Sequence, residues 1–170
     1  ILESVREWSG MVPLIGRDDD LAILGGWAAE ARGGAIVGLL GGDAGMGKSR
    51  LVAEHVVRAA ADGAQVLTGG CLELSGGGLP YAPFAEAFRS LRPNELPAFA
   101  ADIPELGMLV PELSALRPPE EALPPGADPM LQQGRLLVGV RALIERLADT
   151  RPVELVLEDL HWADASTRDL

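Results

Sequence analysis

One short segment holds the residues whose types and spacing are suited to chemistry. It reads GDAGMGKS, from Gly42 to Ser49, and it contains Lys48, the only lysine among the chain's 14 Lys and Arg residues. A compact ammonium on a flexible stem can reach a phosphate where a broad, planar guanidinium does not fit. A lysine retained in a sequence that otherwise uses arginine therefore predicts a phosphate-binding loop.

The context of the segment supports this interpretation. It follows the apolar run AIVGLLG at 35–41 and opens the helical pattern KSRLVAEHVVRAAADG at 48–63. In such a G-x-x-x-x-G-K-[ST] loop the glycines let successive N–H groups point inward, and the helix N-terminus adds partial positive charge. Lys48 is expected to reach the β- and γ-phosphates, and the Ser49 hydroxyl to bind Mg²⁺. The predicted nucleotide-binding residues of the loop are Gly42, Asp43, Ala44, Gly45, Met46, Gly47, Lys48, Ser49 and Arg50.

A second segment, LVLEDLHWAD, places two carboxylates after an apolar strand. Leu155 to Leu157 form the strand, and Glu158 and Asp159 follow at its carboxyl end, where open α/β sheets bind their ligands. One carboxylate in this position holds Mg²⁺ and a second can orient the attacking water. We assign the metal role to Glu158 and the catalytic role to Asp159, with Lys48 as the other catalytic residue.

The elements that must position these residues alternate along the chain. Helical periodicity is predicted at 17–34, 48–63, 82–91 and 129–149, with Asp128 as the N-cap of the last helix. Short apolar runs predict buried strands at 35–41, at 64–69 and before Glu158. Proline-rich loops, the longest at 117–129, interrupt the middle of the chain. This order predicts a parallel α/β sheet with crossover helices, in the three-layer α/β/α arrangement of phosphate-loop NTPases.

Composition excludes several classes of function. A net charge of −11 repels a nucleic-acid backbone, so DNA contacts are expected only through regions outside this chain. Cys71 is the single cysteine, which excludes an internal disulfide and predicts a small buried side chain. No apolar stretch is long enough to span a membrane, and no leader pattern begins the chain. We therefore expect a cytoplasmic protein with no membrane partner.

Four segments together resemble a known family. PLIGRDDDLAIL, GDAGMGKSRL, CLELSGGGLPYAPFAEAFRSL and LVLEDLHWADAS occur in this order, and they are similar to the AAA+-like STAND ATPase module of large LuxR-type bacterial transcriptional regulators. The most specific pieces are Ile15-Gly16-Arg17, Pro80-Tyr81-x-Pro83 and His161-Trp162-Ala163-Asp164. The chain departs from the family at Glu158-Asp159, where members commonly have Asp-Asp or Asp-Glu.

The resemblance implies further properties. Leu14, Ile15 and Gly16 would help to form the adenine pocket. The first strand, 35–41, would be central in the sheet and flanked by the third and a fourth. The chain ends just after the third, so it is interpreted as an N-terminal extension at 1–12 and a partial ATP-binding domain at 13–170 whose C-terminal half is absent. The uncovered first strand predicts self-association of the isolated chain.

The expected function is an ATP-binding, Mg²⁺-dependent switch module that hydrolyses ATP slowly in the complete protein. A GTP-specific module is not expected, because the guanine-reading Asn-Lys-x-Asp element needs a second lysine. Two alternatives stay open, a small-molecule or nucleotide kinase that uses the same loop and a non-catalytic nucleotide-binding interaction domain. The sequence also leaves open a nucleotide-dependent self-association.

Overall fold

The computed structural model of the chain describes residues 14–73, 79–91, 104–110 and 128–170. The N-terminal extension expected at 1–12 and all but the end of the proline-rich loop at 117–129 lie outside these ranges. The described residues form two compact units. The first contains the residues up to Val66 together with Arg151–Glu154, and the second contains those of Leu67–Thr150 and Leu155–Leu170.

The described part of the chain contains five helices and two strands, and two helices precede each strand. They are α1 (Asp18–Glu30), α2 (Lys48–Ala61), β1 (Gln65–Gly70), α3 (Ala82–Arg89), α4 (Pro129–Ala148), β2 (Val153–Glu158) and α5 (Ala165–Asp169). Short 3₁₀ segments occupy Ala31–Gly33, Pro104–Met108 and Leu160–Trp162. The four predicted helices and the two later predicted strands are confirmed, whereas α5 was not predicted.

The predicted buried strand at 35–41 is wrong. These residues join no sheet in the described part of the chain, and their side chains are exposed, with Val37 at 88% and Leu39 at 80%. An apolar run favours a strand, but a strand exists only where a neighbouring backbone takes up its N–H and C=O groups. The sheet formed by the described residues contains β1 and β2 only. The expected position of this segment in the sheet, beside the strand that ends at Glu158, is therefore wrong as well.

The two strands of the sheet are parallel neighbours. The Gln65 N–H donates to the Pro152 carbonyl at 2.7 Å, and the Cys71 N–H donates to the Glu158 carbonyl at 3.0 Å. Because both partners advance along the chain together, the strands run in one direction. Residues 67–69 of β1 are buried, whereas β2 is half-buried along its length, less than predicted for Leu155 to Leu157.

Helix α4 supplies much of the apolar interior of the second unit. Its N-cap is Asp128, as predicted, whose carboxylate accepts from the Met130 N–H at 2.9 Å. The predicted stripe is buried and packs with the 3₁₀ segment Pro104–Met108 and the residues that follow it. The buried members of this group are Leu106, Leu109, Val110, Leu136, Val140, Leu143 and Leu147. The 3.6-residue period of the stripe accounts for one buried face on the helix.

A close approach of α3 to β1 depends on Gly69. A Cβ atom built at Gly69 would overlap the carbonyl oxygen of Pro83, at the start of α3. At the next residue, the Gly70 N–H donates to the Glu86 carboxylate of α3 at 2.9 Å. The strand and the helix therefore approach within a distance that only glycine permits.

We expect Gly69→Ala to lower the free energy of unfolding by about 1–3 kcal/mol. The added methyl group would overlap the Pro83 backbone, so β1 and α3 would have to move apart. Gly134→Ala is the matched control, since Gly134 lies inside α4 with no atom within 4 Å of the added Cβ. That change should raise stability by about 0.5–1 kcal/mol through helix propensity. Urea unfolding of both variants measures the two shifts, and a stability change of the same sign in both would contradict this packing.

Candidate functional site

Three glycines with positive φ give the loop at 42–49 its curvature. Gly42 has φ +153°, and Gly45 and Gly47 each have φ +80°. Side chains other than glycine are strained at such angles. The loop turns at 43–46, with the Met46 N–H donating to the Asp43 carbonyl at 3.4 Å, and enters α2 at Gly47. The glycine spacing read from the sequence is therefore required by the backbone.

The Lys48 amine lies against the inside of this loop. Its Nζ donates to the Gly42 carbonyl at 2.8 Å and to the Asp43 carbonyl at 2.9 Å. Gly42 precedes the turn and Asp43 begins it, so the lysine side chain folds back over the loop from the first residue of α2. The amine is thereby held next to the concave backbone where an anion would bind.

The N-terminus of α2 is open to a ligand. Gly47 is the N-cap, and no side chain caps this 14-residue helix. Its first N–H groups therefore carry the partial positive charge of the helix end without a side-chain acceptor at the cap. Ser49 is exposed in the first turn, and Arg50 follows it half-buried.

Arg17 connects the segment before α1 to the same loop. Its Nη2 donates to the Met46 carbonyl at 2.6 Å, and its Nη1 donates to the Asp20 carboxylate at 2.8 Å. The contact joins residues that are 29 positions apart. Sequence reasoning did not assign Arg17 a role, although it lies in the Ile15-Gly16-Arg17 motif; an arginine beside three acidic residues was the available signal.

The residues expected to form the adenine pocket precede Arg17 directly. Ile15 is 83% exposed, Gly16 has φ +70°, and Leu14 is half-buried. Ile15 lies two residues before Arg17, whose side chain contacts the loop, and it exposes apolar surface. Their role in base binding stays a prediction.

His55 links α2 to the start of β2 within the first unit. Its Nε2 lies 2.8 Å from the Glu154 carboxylate, and both side chains are mostly buried, at 14% and 18% exposure. This pairing fits the structural role expected for a mid-helix histidine.

The two predicted carboxylates belong to the second unit. Glu158 is the last residue of β2, and Asp159 has φ +55° and ψ +39°, so the chain turns at Asp159 into the 3₁₀ segment Leu160–Trp162. Side chains alternate between the two faces of a strand, and this turn releases Asp159 from that alternation. The joint binding of Mg²⁺ by Ser49 and Glu158 stays a prediction.

Two motifs that are far apart in the sequence meet in the second unit. The Tyr81 N–H donates to the Thr167 hydroxyl at 2.9 Å, and Tyr81 itself has φ +59°. Asp164 caps α5 by accepting from the Ser166 N–H at 3.0 Å and the Thr167 N–H at 3.1 Å. A shallow cleft lies beside them, lined in part by Cys71, Pro83 and Trp162. The rings of His161 and Trp162 lie 4.9 Å apart between centroids, with their planes tilted by 46°.

Local charge and burial keep Cys71 protonated. The thiol is buried, as predicted, and burial raises its pKa, with the negative charges of Asp159 and Asp164 raising it further. A thiol in this environment is a poor nucleophile.

The loop fits a polyphosphate. It combines the Lys48 ammonium, a glycine-curved backbone and an uncapped helix N-terminus, which are the donors that phosphate groups require. Among the described residues no group of three or more His, Cys, Asp or Glu side chains could hold a metal. Mg²⁺ in nucleotide sites usually binds substrate phosphates and waters together with only one or two protein carboxylates.

These features define the class of phosphate-loop nucleotide-binding α/β proteins. Residues 13–170 match the AAA ATPase domain family, and the chain belongs to that family. Membership of this family makes the chain a nucleotide-binding ATPase module. No curated protein and no solved structure gives a match. In the described part of the chain, none of the helices has the length and apolar character needed to cross a membrane.

Asp164 should make the second unit sensitive to acid. Partial burial by itself would raise the pKa of Asp164, but hydrogen bonds from Thr167 and Ser166 outweigh it and hold that pKa below its ordinary value. Ionised Asp164 therefore contributes stability above the ordinary carboxyl pKa, and this contribution is lost as the pH falls through the lowered folded value.

We expect Asp164→Ala to cost about 1 kcal/mol at neutral pH through loss of the helix cap. Asp164→Asn keeps an acceptor and should flatten the loss of stability on acidification. Asp169→Asn, which removes a carboxylate from the other end of α5, is the control and should follow the parent. Urea midpoints across the acidic range measure this, and parent-like acid sensitivity in Asp164→Asn would contradict it.

Proposed function

We propose that residues 13–170 form the ATP-binding switch module of a transcriptional regulator of the LuxR-type STAND group, with slow ATP hydrolysis. The observation that carries the nucleotide role is the Lys48 amine held within 3 Å of two loop carbonyls at an uncapped helix end. The regulatory role rests on the resemblance at Ile15-Gly16-Arg17, Pro80-Tyr81-x-Pro83 and His161-Trp162-Ala163-Asp164. Contacts with DNA are assigned to other parts of a regulator, because this chain carries a net charge of −11.

Binding would exchange the partners of Lys48. Its two hydrogen bonds to neutral carbonyls would give way to charge-assisted bonds with the β- and γ-phosphates. The Gly42 and Asp43 carbonyls must then find other donors, so phosphate binding and local rearrangement of the loop are coupled. The N–H groups of the first turn of α2 would add donors to the phosphates.

Glu158 and Asp159 would divide two roles between them. When bound, Mg²⁺ neutralises phosphate charge and orients the γ-phosphate. Glu158, the last residue of the strand, would share its ligand shell together with Ser49. Asp159, turned out of the strand by its left-handed conformation, would accept a proton from the attacking water.

A switch needs two arrangements that bind nucleotide differently. The segment at 35–41 leads directly into the phosphate loop, and its apolar side chains are exposed. Ordering this segment on nucleotide binding would change the apolar surface available to partners, including other copies of the chain. The population shift would be driven by the difference in nucleotide affinity between the arrangements.

The single lysine makes the phosphate contact directly testable. An amine-acylating reagent at mildly alkaline pH should modify only Lys48 and the α-amino group, and Mg²⁺-ATP should slow the modification of Lys48 alone. Peptide mass spectrometry measures both sites, with the α-amino group as the internal reference. Equal labelling of Lys48 with and without nucleotide, in folded protein, would rule out its role in binding.

Two isosteric changes test the division of roles between the carboxylates. Glu158→Gln should weaken ATP binding in Mg²⁺ but leave binding in chelator unchanged, because it removes a contribution to the metal shell. Asp159→Asn should leave binding nearly intact and slow single-turnover hydrolysis by roughly 10² or more, as loss of a positioned base does.

Asparagine is the right replacement at Asp159 because it tolerates the left-handed conformation that this residue adopts. Asp159→Ala serves as the comparison, since it adds backbone strain to the loss of the carboxylate. If Asp159→Asn hydrolyses ATP at the parent rate, Asp159 is a turn residue and not a base. If hydrolysis yields a phosphorylated acceptor in place of free phosphate, the module is a kinase.

A further inference from the structure

The contact between Arg17 and the phosphate loop constrains one particular peptide group. Arg17 Nη2 donates to the Met46 carbonyl at 2.6 Å. That carbonyl and the Gly47 N–H belong to the same peptide plane, and in a trans peptide they point in opposite directions. The described peptide bonds include no cis bond. Fixing the Met46 carbonyl therefore also fixes the direction of the Gly47 N–H.

This peptide group is free to rotate without such a restraint. Rotation of this plane changes ψ of Met46 and φ of Gly47, and Gly47 adopts φ +80°. Glycine adopts positive and negative φ about equally well, so a flip of the plane costs little in backbone strain. A flipped plane would turn the carbonyl, in place of the N–H, toward a bound anion.

Arg17 is itself held in place. Its second terminal nitrogen, Nη1, donates to the Asp20 carboxylate at 2.8 Å, one turn into α1. The two side chains are only about one-third exposed, at 35% and 41%. The guanidinium thus bridges α1 and the loop through two nitrogens in a fixed planar geometry. A chain of contacts runs from Asp20 through Arg17 to the Met46–Gly47 peptide.

We propose that Arg17 is a positioning residue, which holds the Gly47 N–H in the orientation that binds phosphate. The proposal rests on the proposed nucleotide-binding function, and it concerns the phosphate groups and not the base. Arg17 acts through the loop backbone and touches no reacting atom. Its role is to lower the entropy that the loop must lose on binding.

The test compares three substitutions. Arg17→Met keeps the length of the side chain and removes both donors. Arg17→Lys restores one donor and the charge. Arg32→Met is the control for lost positive charge, since Arg32 is exposed in the 3₁₀ segment Ala31–Gly33 that follows α1.

Affinities are measured for Mg²⁺-ATP and for inorganic tripolyphosphate, which lacks the base. Arg17→Met should weaken both by the same factor, about tenfold, as expected for loss of a charge-assisted hydrogen bond. Arg17→Lys should recover part of this loss, and Arg32→Met should bind like the parent. Weaker ATP binding with unchanged tripolyphosphate binding would overturn the proposal, because it would place Arg17 at the base.

A measurement without nucleotide reports the peptide orientation directly. The Gly47 amide signal in a ¹⁵N-labelled sample should shift in Arg17→Met and stay in place in Arg32→Met. Asp20→Asn, which leaves the bond to Met46 but loosens Arg17, should give smaller changes in the same direction. This variant decides the question if Arg17→Met fails to fold.

The outcomes separate the two hypotheses. If the parent binds neither ATP nor tripolyphosphate, the proposed function is wrong. If the parent binds both and Arg17→Met binds them equally well, only the role of Arg17 is overturned.

Discussion

The parallel pairing of β1 with β2 is the constraint on which the second unit depends. Parallel strands end at the same edge, so the segments that leave them emerge side by side. Cys71, just after β1, is hydrogen-bonded to the Glu158 carbonyl at the end of β2. The chain then turns at Asp159, and Asp164 starts α5 close to Tyr81. The cleft and the motif contacts around it follow from this common edge.

The phosphate loop depends on a different constraint, the direction of its backbone groups. Positive φ at three glycines produces a concave loop, but the same glycines leave its peptide planes free to rotate. Lys48 and Arg17 restrain the loop from opposite sides of the turn, through carbonyls of Gly42, Asp43 and Met46. Because Lys48 already makes two hydrogen bonds, the free energy of phosphate binding is the difference between old and new partners. In the proposed function, nucleotide binding would therefore rearrange an existing hydrogen-bond network.

Two side-chain contacts attach helices to strands in different ways. Glu86 accepts from the Gly70 N–H and thereby satisfies a backbone donor at the end of β1. His55 pairs with Glu154 and fixes α2 to the beginning of β2. Both contacts are at least partly buried, where the loss of one partner leaves a polar group without compensation. Within its own unit, each contact fixes the position of a helix relative to a strand.

The sequence by itself determined the features that depend on neighbouring residues. Helical periodicity located α1 to α4, Asp128 identified the cap of α4, and the spacing of Gly42, Gly47 and Lys48 identified the loop. Each of these signals is local, because capping, periodicity and glycine φ angles involve residues within a few positions of one another.

Tertiary structure decided whatever required a distant partner. The apolar run at 35–41 predicted a strand, but the described sheet gives it no neighbour and its side chains are exposed. The contacts of Arg17 with Met46, His55 with Glu154 and Tyr81 with Thr167 join residues 29 to 99 positions apart. No local pattern selects among the many acceptors available to such a donor. The choice is made by the packing that brings the two segments together, because a hydrogen bond forms only within about 3 Å of its partner.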